Sequence, residues 1–97
     1  MLGRTPILLG AADRLLSHGH EIALVVTARD RMYPDDGLPA FQALADRVGC
    51  ELVVAATIGA EERRLIEAGD LDIGVSVSYP NKISQATLDL FRHGVLN

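Results

Sequence analysis

The chain has 97 residues and a mass of 10.4 kDa, which is the size of one small domain. Hydrophobic residues make up 48% of it and charged residues 23%, so it belongs with globular rather than disordered chains. Nine basic and 13 acidic residues give a net charge of −4, and the scattered positive charges argue against a nucleic-acid binder. The sequence has no apolar run of about 18 residues, so we expect no membrane span.

The first residues and the single cysteine bear on the cellular compartment. The N-terminus lacks the cationic start and long apolar stretch of a signal peptide. Cys50 has no partner for an internal disulfide, and we expect it to be a small packed side chain in a cytoplasmic protein. His18 and His20 have no carboxylate or thiol cluster beside them, so no metal site is expected.

Hydrophobic periodicity predicts the first two elements. Apolar side chains at four-residue spacing over residues 5–18 indicate one stripe of an amphipathic helix, which Gly19 ends. The following run, Glu21–Thr27, is continuously apolar after its first residue and contains β-branched residues. Such a run is typical of a strand covered on both faces, as in a parallel sheet between two layers of helices.

The middle of the chain continues the alternation. The polar stretch Ala28–Pro39 predicts a loop, in which Asp35 and Asp36 are expected to be solvated rather than a pair of catalytic acids. A second helix is predicted over Phe41–Val48, and Gly49 is expected to end it.

Two further strands and a helix follow. The run Glu51–Ala56 predicts a second buried strand, and Thr57 or Gly59 is expected to open a third helix that ends near Gly69. Leu71–Ser78 predicts a third strand.

The last predicted helix begins with a capping residue. Ser84 is expected to cap it, with Ile83 and Leu88 forming a hydrophobic staple. Its last turn is expected to contain Arg92 and His93, with Gly94 in the position where a left-handed cap residue is favoured, and Val95–Asn97 predicts the start of another strand.

Strands that alternate with helices predict an α/β fold: an open, doubly wound, mainly parallel sheet with helices on both faces, in one domain over residues 1–97. The sheet is expected to be incomplete at both ends, since Met1 and Leu2 are too short for a central strand of about five residues. In the alternative interpretation, these two residues and a partner chain complete the sheet. Unpaired strand edges predict self-association of the isolated chain.

Ligands of such sheets bind beyond the carboxyl ends of the strands, where the strand order reverses. This rule points to Gly3–Thr5, Thr27–Arg31, Thr57–Gly59 and Ser78–Lys82. The loop Ser78–Lys82, which continues into Ser84, is the most unusual of these. Tyr79 is expected at the carboxyl end of a strand, and the backbone N–H and C=O groups that follow it are not used by a helix or a strand. The alternative is an ordinary connection between a strand and a helix, in which Pro80 stiffens the turn. Gly3–Thr5 precedes a helix N-terminus, but a tight turn is favoured over an anion site.

Asn97 is a polar residue in what is expected to be a buried strand. Burial of an amide without a hydrogen-bond partner costs about 1–3 kcal/mol, so we expect a buried asparagine to have a specific structural or functional role. A carboxamide N–H can donate to a carbonyl oxygen that gains negative charge during a reaction.

Three stretches together resemble a known enzyme family. Leu2–Pro6, followed by Leu15–Ile22 and Val25–Thr27, resembles the opening of the 10-formyltetrahydrofolate-dependent formyltransferases, which include methionyl-tRNA, glycinamide-ribonucleotide and amino-sugar formyltransferases. Asp72–Tyr79 resembles their D-x-x-V-x-x-x-Y strand. Leu88–Asn97 resembles the run into their N-x-H-x-S-x-L-P signature.

The resemblance implies a Rossmann-like N-terminal domain that binds the formyl donor 10-formyltetrahydrofolate and passes its formyl group to an amine acceptor. The cofactor-binding residues that it implies are Tyr79, Asn81, Ile83 and Leu88, and the implied catalytic residue is Asn97. The His and Asp that complete the family's catalytic set have no counterpart in this chain, so the isolated chain is expected to be inactive.

Two departures from the family pattern stand beside the resemblance. The family's apolar first strand before Gly3 is missing, and the glycine next to the strand-end tyrosine is replaced, giving Ser78-Tyr79-Pro80. The alternative function is a non-catalytic α/β binding or interaction module. A nucleotide-binding fragment of the NAD(P) type is disfavoured, because the glycine-rich fingerprint is absent and Thr27-Ala28-Arg29 follows the second strand instead of an acid.

Overall fold

The computed structural model describes residues 1–29 and 37–97. The elements in chain order are β1 (Leu2–Gly3), α1 (Pro6–Ser17), β2 (Leu24–Thr27), α2 (Leu38–Val48), β3 (Glu51–Val54), α3 (Ala60–Ala68), β4 (Gly74–Val77), α4 (Gln85–Leu88) and β5 (Val95–Leu96). Asp35, Asp36 and most of the predicted loop lie outside the described residues. Pro39, the predicted end of that loop, already belongs to the first turn of α2, where its missing N–H needs no partner.

The described strands form one sheet in the order β3-β2-β1-β4-β5, and each of their pairings is parallel. This arrangement confirms the predicted α/β fold of Rossmann-like type. The chain moves outward from β1 to β3 and then crosses back to β4, so the strand order reverses between β1 and β4. No helix in the described ranges is long and apolar enough to cross a membrane.

The central strand is β1, although it has only two residues. Leu2 pairs with Val26 of β2 and Ser76 of β4, and Gly3 pairs with Val77. β1 therefore holds the central position with fewer residues than its four-residue neighbours β2 and β4, as expected from the short segment before Gly3. Gly3 allows this position because a Cβ atom there would lie 2.1 Å from the carbonyl oxygen of Val77.

The helices pack on the two faces of the sheet and create two hydrophobic clusters. The first cluster lies on the face covered by α3 and the residues after α4, and its buried members are Leu2, Leu24, Val26, Ile58, Ile66 and Phe91. The second lies on the face covered by α1 and α2, and its buried members are Leu8, Ala12, Ile22, Val25, Phe41 and Leu44. Successive residues of β2 alternate between the two clusters, so this strand is covered on both faces as predicted.

Two predicted elements differ from the structure. Glu51–Ala56 was predicted as a buried strand, but β3 lies at an edge of the sheet, and Glu51 and Val54 are exposed. The last helix was predicted to reach His93, but α4 ends at Leu88, and turns lead from there to Phe91 in the first cluster. The predicted cap at its start is confirmed, because the Ser84 hydroxyl accepts a hydrogen bond from the Thr87 N–H at 3.3 Å.

Candidate ligand-binding site

A cavity of about 550 Å³ opens at the carboxyl ends of β4 and β5. Its volume lies within the usual range of small-molecule sites. The lining residues come from β4, the loop after it, α4 and the end of the chain: Ser76, Ser78, Tyr79, Pro80, Asn81, Lys82, Ile83, Leu88, Val95 and Asn97. The five residues implied by the resemblance, Tyr79, Asn81, Ile83, Leu88 and Asn97, are all among them.

Hydrogen bonds from two of these side chains fix the loop after β4. The Tyr79 hydroxyl donates to the carbonyl oxygen of Ala55. The Asn81 amide donates to the carbonyl oxygen of Ala56 at 2.8 Å and to the Thr57 hydroxyl at 2.9 Å. The polar ends of both side chains thus contact the loop after β3, and they position the rim of the cavity by holding two loops together.

The Tyr79 hydroxyl is a proton donor at any physiological pH. Burial of the side chain raises its pKa to about 12, and the nearby Glu62 carboxylate adds to this rise because it disfavours a second negative charge. Glu62 is itself held in place, since it accepts a hydrogen bond from the Gly59 N–H at 3.0 Å at the start of α3. The bond from Tyr79 to Ala55 is therefore retained at neutral pH.

Ser78 joins β4 to this loop in a left-handed conformation, with φ of 55°. Such a conformation is uncommon for a residue with a Cβ atom and stores backbone strain. Ser78 stands immediately before Tyr79, at a bend that directs the loop toward β3. The strained residue thus belongs to the rim of the cavity.

Asn97 lies beyond the end of β5 and is exposed. The structure thus does not show the burial from which the role of this amide was argued. The Asn97 carboxamide borders the cavity with access to solvent. In this position it can donate to a ligand without first breaking a bond inside the protein.

The apolar wall of the cavity is formed by Ile83 and Leu88, which precede and end α4. Both side chains are half-buried. The Ser84 cap fixes the turn between them, so the wall is supported by the start of the helix. Lys82, exposed beside this wall, adds a cation to the rim.

Within the described residues, the other predicted loops contribute no lining residue to this cavity. Gly3–Thr5 lies at the start of α1, and Thr57 contacts the cavity rim through its hydrogen bond from Asn81. The Thr5 and Thr27 hydroxyls are buried without a hydrogen-bond partner within residues 1–29 and 37–97. Arg31 lies outside the described residues. The cavity therefore sits beside β4 and β5, one strand away from the point where the strand order reverses.

The opposite edge of the sheet holds the remaining candidate residues. His18 and His20 are exposed there, and the described part of the chain contains no group of three or more His, Cys, Asp or Glu side chains that could hold a metal ion. Asp70 and Asp72 form ion pairs with Arg92, with N···O distances of 3.0 and 2.9 Å. These ion pairs are exposed, so they add little stability.

The bonding of Tyr79 and Asn81 to the loop after β3 was not anticipated, because it joins residues 24 positions apart and has no local signal in the sequence. A larger cavity of about 780 Å³ lies at the amino-terminal edge of the sheet. It borders the two-residue β1, where the shortness of the segment before Gly3 predicts an incomplete sheet.

Replacing Tyr79 with phenylalanine is expected to lower the free energy of unfolding by about 1 kcal/mol, because one partly buried hydrogen bond is lost. When the tyrosinate absorbance is followed against pH, this variant should also lack the component that titrates near pH 12. Chemical denaturation and an ultraviolet pH titration measure the two effects. Gln42→Ala, which removes an exposed hydrogen bond to Asp46, is the control and should change stability little. Unchanged stability in Tyr79→Phe would show that the hydroxyl is not bonded in solution.

Replacing Ser78 with glycine is expected to stabilise the chain by about 0.5–1 kcal/mol, because glycine adopts the left-handed conformation without steric strain. Ser78→Ala is the matched control: it removes the hydroxyl but keeps the Cβ atom, so it should give no gain. Thermal unfolding of the two variants separates these effects. Equal stability of the glycine and alanine variants would contradict the strain at this residue.

No family model matches this chain, and a search of curated proteins returns no match.

Proposed function

We propose that this chain is the folate-binding portion of a formyltransferase and that the cavity beside β4 and β5 takes 10-formyltetrahydrofolate. The observation that supports the proposal is the arrangement of five residues around one cavity. Tyr79 and Asn81 order its rim, Ile83 and Leu88 form its apolar wall, and Asn97 presents a free carboxamide.

The residues that line the cavity would contact the two parts of a folate's flat heterocycle, its ring face and its polar edge. Ile83 and Leu88 offer an apolar surface against a ring face. Because the Tyr79 and Asn81 side chains bond to the loop after β3, the main chain of residues 79–83 is the part of the rim that would bind the polar edge of the ring. Recognition through the main chain depends on a fixed loop, and these two side chains supply that order.

Asn97 is the residue that would act on the formyl group. When bound, 10-formyltetrahydrofolate supplies an activated formyl carbon for an amine. The exposed Asn97 carboxamide would donate to a carbonyl oxygen and stabilise the negative charge that develops on it. Removal of one such donor in an enzyme lowers the rate by about 10²–10³-fold.

The 97 residues hold no counterpart of the family's His and Asp beside Asn97. The contributions of catalytic residues that act as a unit are not additive, so the loss of two of them removes nearly all catalysis. We therefore expect this chain to bind the donor without transferring its formyl group. A steady-state assay with 10-formyltetrahydrofolate and a free amine should show no turnover above background.

Isothermal titration with 10-formyltetrahydrofolate tests the binding. The proposal predicts saturable binding that Leu88→Asp weakens at least tenfold, because a carboxylate would enter the apolar wall. Gln85→Ala is the control, since Gln85 is exposed on the same helix and does not line the cavity. Binding of NADH in place of the folate would indicate a nucleotide-binding domain, and binding of neither would indicate an interaction module. Either result would contradict the proposal.

A further inference from the structure

Three polar side chains are buried in the part of the chain that the structure describes: Thr27, Ser76 and Thr87. The Thr87 and Ser84 hydroxyls are hydrogen-bonded to each other at 3.0 Å. The Thr27 hydroxyl is sealed from solvent and has no partner among residues 1–29 and 37–97. Ser76 differs from both, because it is 5% exposed and lines the ligand cavity beside β4 and β5.

The Ser76 hydroxyl is buried without being used by the protein. It forms no hydrogen bond within the described residues, yet it is not sealed from solvent as the Thr27 hydroxyl is. Burial of a hydroxyl without a partner costs free energy, and such a cost at the wall of a cavity indicates a group that a ligand satisfies. The hydroxyl keeps both its O–H donor and its acceptor lone pairs for a molecule that enters.

The direction of the Ser76 side chain follows from Gly74, two residues earlier in β4. A Cβ atom at Gly74 would lie 2.9 Å from the Val95 side chain and 3.1 Å from the Phe91 ring. Residues two positions apart in a strand share a face, so Ser76 points to the same side of the sheet. Ile83, from the apolar wall of the cavity, packs against the first cluster on this side.

The pairing of β4 with β5 places Ser76 beside Asn97. The two strands are parallel, with Val75 opposite Leu96. One step further along this register, Ser76 stands opposite Asn97, on the same face, and both residues line the ligand cavity. Adjacent strands lie about 4.7–4.9 Å apart, so one oxygen atom between the two side chains can accept a hydrogen bond from each.

We propose that Ser76 is a second hydrogen-bond donor in the ligand cavity and that it binds, together with Asn97, the oxygen of an N-formyl group. This inference rests on the proposed function, in which Asn97 donates to the same oxygen. A carbonyl oxygen has two lone pairs and can accept from both side chains. Two donors at one oxygen stabilise the negative charge that develops on it better than one donor does.

The first test compares two folates by isothermal titration. Ser76→Ala removes the hydroxyl and should weaken the binding of 10-formyltetrahydrofolate about fivefold, because one hydrogen bond to the ligand is lost. Tetrahydrofolate has no formyl oxygen, so its affinity should be the same for the variant and the parent chain. Equal affinity of the two chains for the formylated folate would overturn the inference and leave the proposed function intact.

Thr27→Val is the matched control. Thr27 also carries a buried hydroxyl without a described partner, but it does not line the ligand cavity. Each substitution removes an unpaired buried hydroxyl, so both should raise the midpoint of thermal unfolding, and only Ser76→Ala should weaken binding. A lower midpoint for Ser76→Ala would overturn the inference, because the hydroxyl would then be bonded within the protein.

A fragment probe separates this inference from the proposed function. N-Methylformanilide carries an aryl N-formyl group without the rest of the folate. At millimolar concentration it should shift the nuclear magnetic resonance signals of the Asn97 side-chain amide, and it should bind Ser76→Ala about fivefold more weakly than the parent chain. Binding of the fragment but not of the folates would overturn the proposed function and keep the Ser76 contact. Binding of neither would overturn both.

Discussion

Replacing Gly3 with alanine is expected to lower the free energy of unfolding by about 3–5 kcal/mol, a large fraction of the usual total stability of a small domain. An added Cβ atom would lie 2.1 Å from the Val77 carbonyl oxygen and 3.2 Å from the Leu8 side chain. The first contact is with backbone in the neighbouring strand, so it cannot be relieved by a rotamer change. Relief requires β1 and β4 to separate, and this pairing connects the two halves of the sheet. Urea denaturation followed by circular dichroism measures the loss.

Gly10→Ala is the matched control for this prediction. A Cβ atom at Gly10 would meet nothing within 4 Å, and the residue lies in the interior of α1. Alanine is favoured over glycine in a helix by about 1 kcal/mol, so this variant should be more stable than the parent chain. If Gly3→Ala were as stable as the parent, β1 would not lie between β2 and β4.

Replacing Phe91 with alanine is expected to lower the free energy of unfolding by about 3–5 kcal/mol, the usual loss for a buried phenylalanine. Phe91 is 5% exposed and packs with Leu2, Leu24 and Ile66 in the first cluster. A Cβ atom at Gly74 would lie 3.1 Å from the ring, which places the ring against the start of β4. The same ring therefore supports the strand whose other end leads into the ligand cavity.

The control for the phenylalanine is Leu96→Ala on β5. Leu96 is 61% exposed, so its truncation should change the free energy of unfolding by less than about 0.5 kcal/mol. Thermal and urea unfolding of both variants measure the difference. Equal effects of the two substitutions would contradict the position of Phe91 in the core.

Local patterns predict where most elements lie, but not their neighbours in the sheet. The apolar runs at β2 and β3 look alike in the sequence, yet β2 is buried on both faces and β3 lies at an edge. The position of a strand within a parallel sheet depends on the crossover connections. These connections do not affect the amino-acid composition of the strand itself. Glu51 at the start of β3 is compatible with either position.

Capping residues likewise predict where a helix begins better than where it ends. Ser84 caps α4 as expected, but the helix stops after four residues. Its end is set by the turns that bring Phe91 into the first cluster, where the side chain is buried beside Gly74. Because this burial is a tertiary contact, the helical pattern of the sequence up to His93 does not predict where the helix ends.

Prediction of the candidate site from local sequence patterns is limited in the same way. The rule that ligands bind at the carboxyl ends of strands directs attention to the loop after β4, where a cavity is found. The bonds from Tyr79 and Asn81 to the loop after β3 depend on the order of the strands and could not be predicted from local patterns. The exposure of Asn97 was also not predicted, because the apolar run before it indicates a buried strand.

The most direct test of the proposed function is a nuclear magnetic resonance titration of the isotopically labelled chain with 10-formyltetrahydrofolate. The account predicts that the largest shift changes fall on the Asn97 side-chain amide and the methyl groups of Ile83 and Leu88, with little change at the exposed face of α1. Changes centred on Gly3–Thr5 or on the larger cavity at the amino-terminal edge of the sheet, or no changes at saturating ligand, would contradict it.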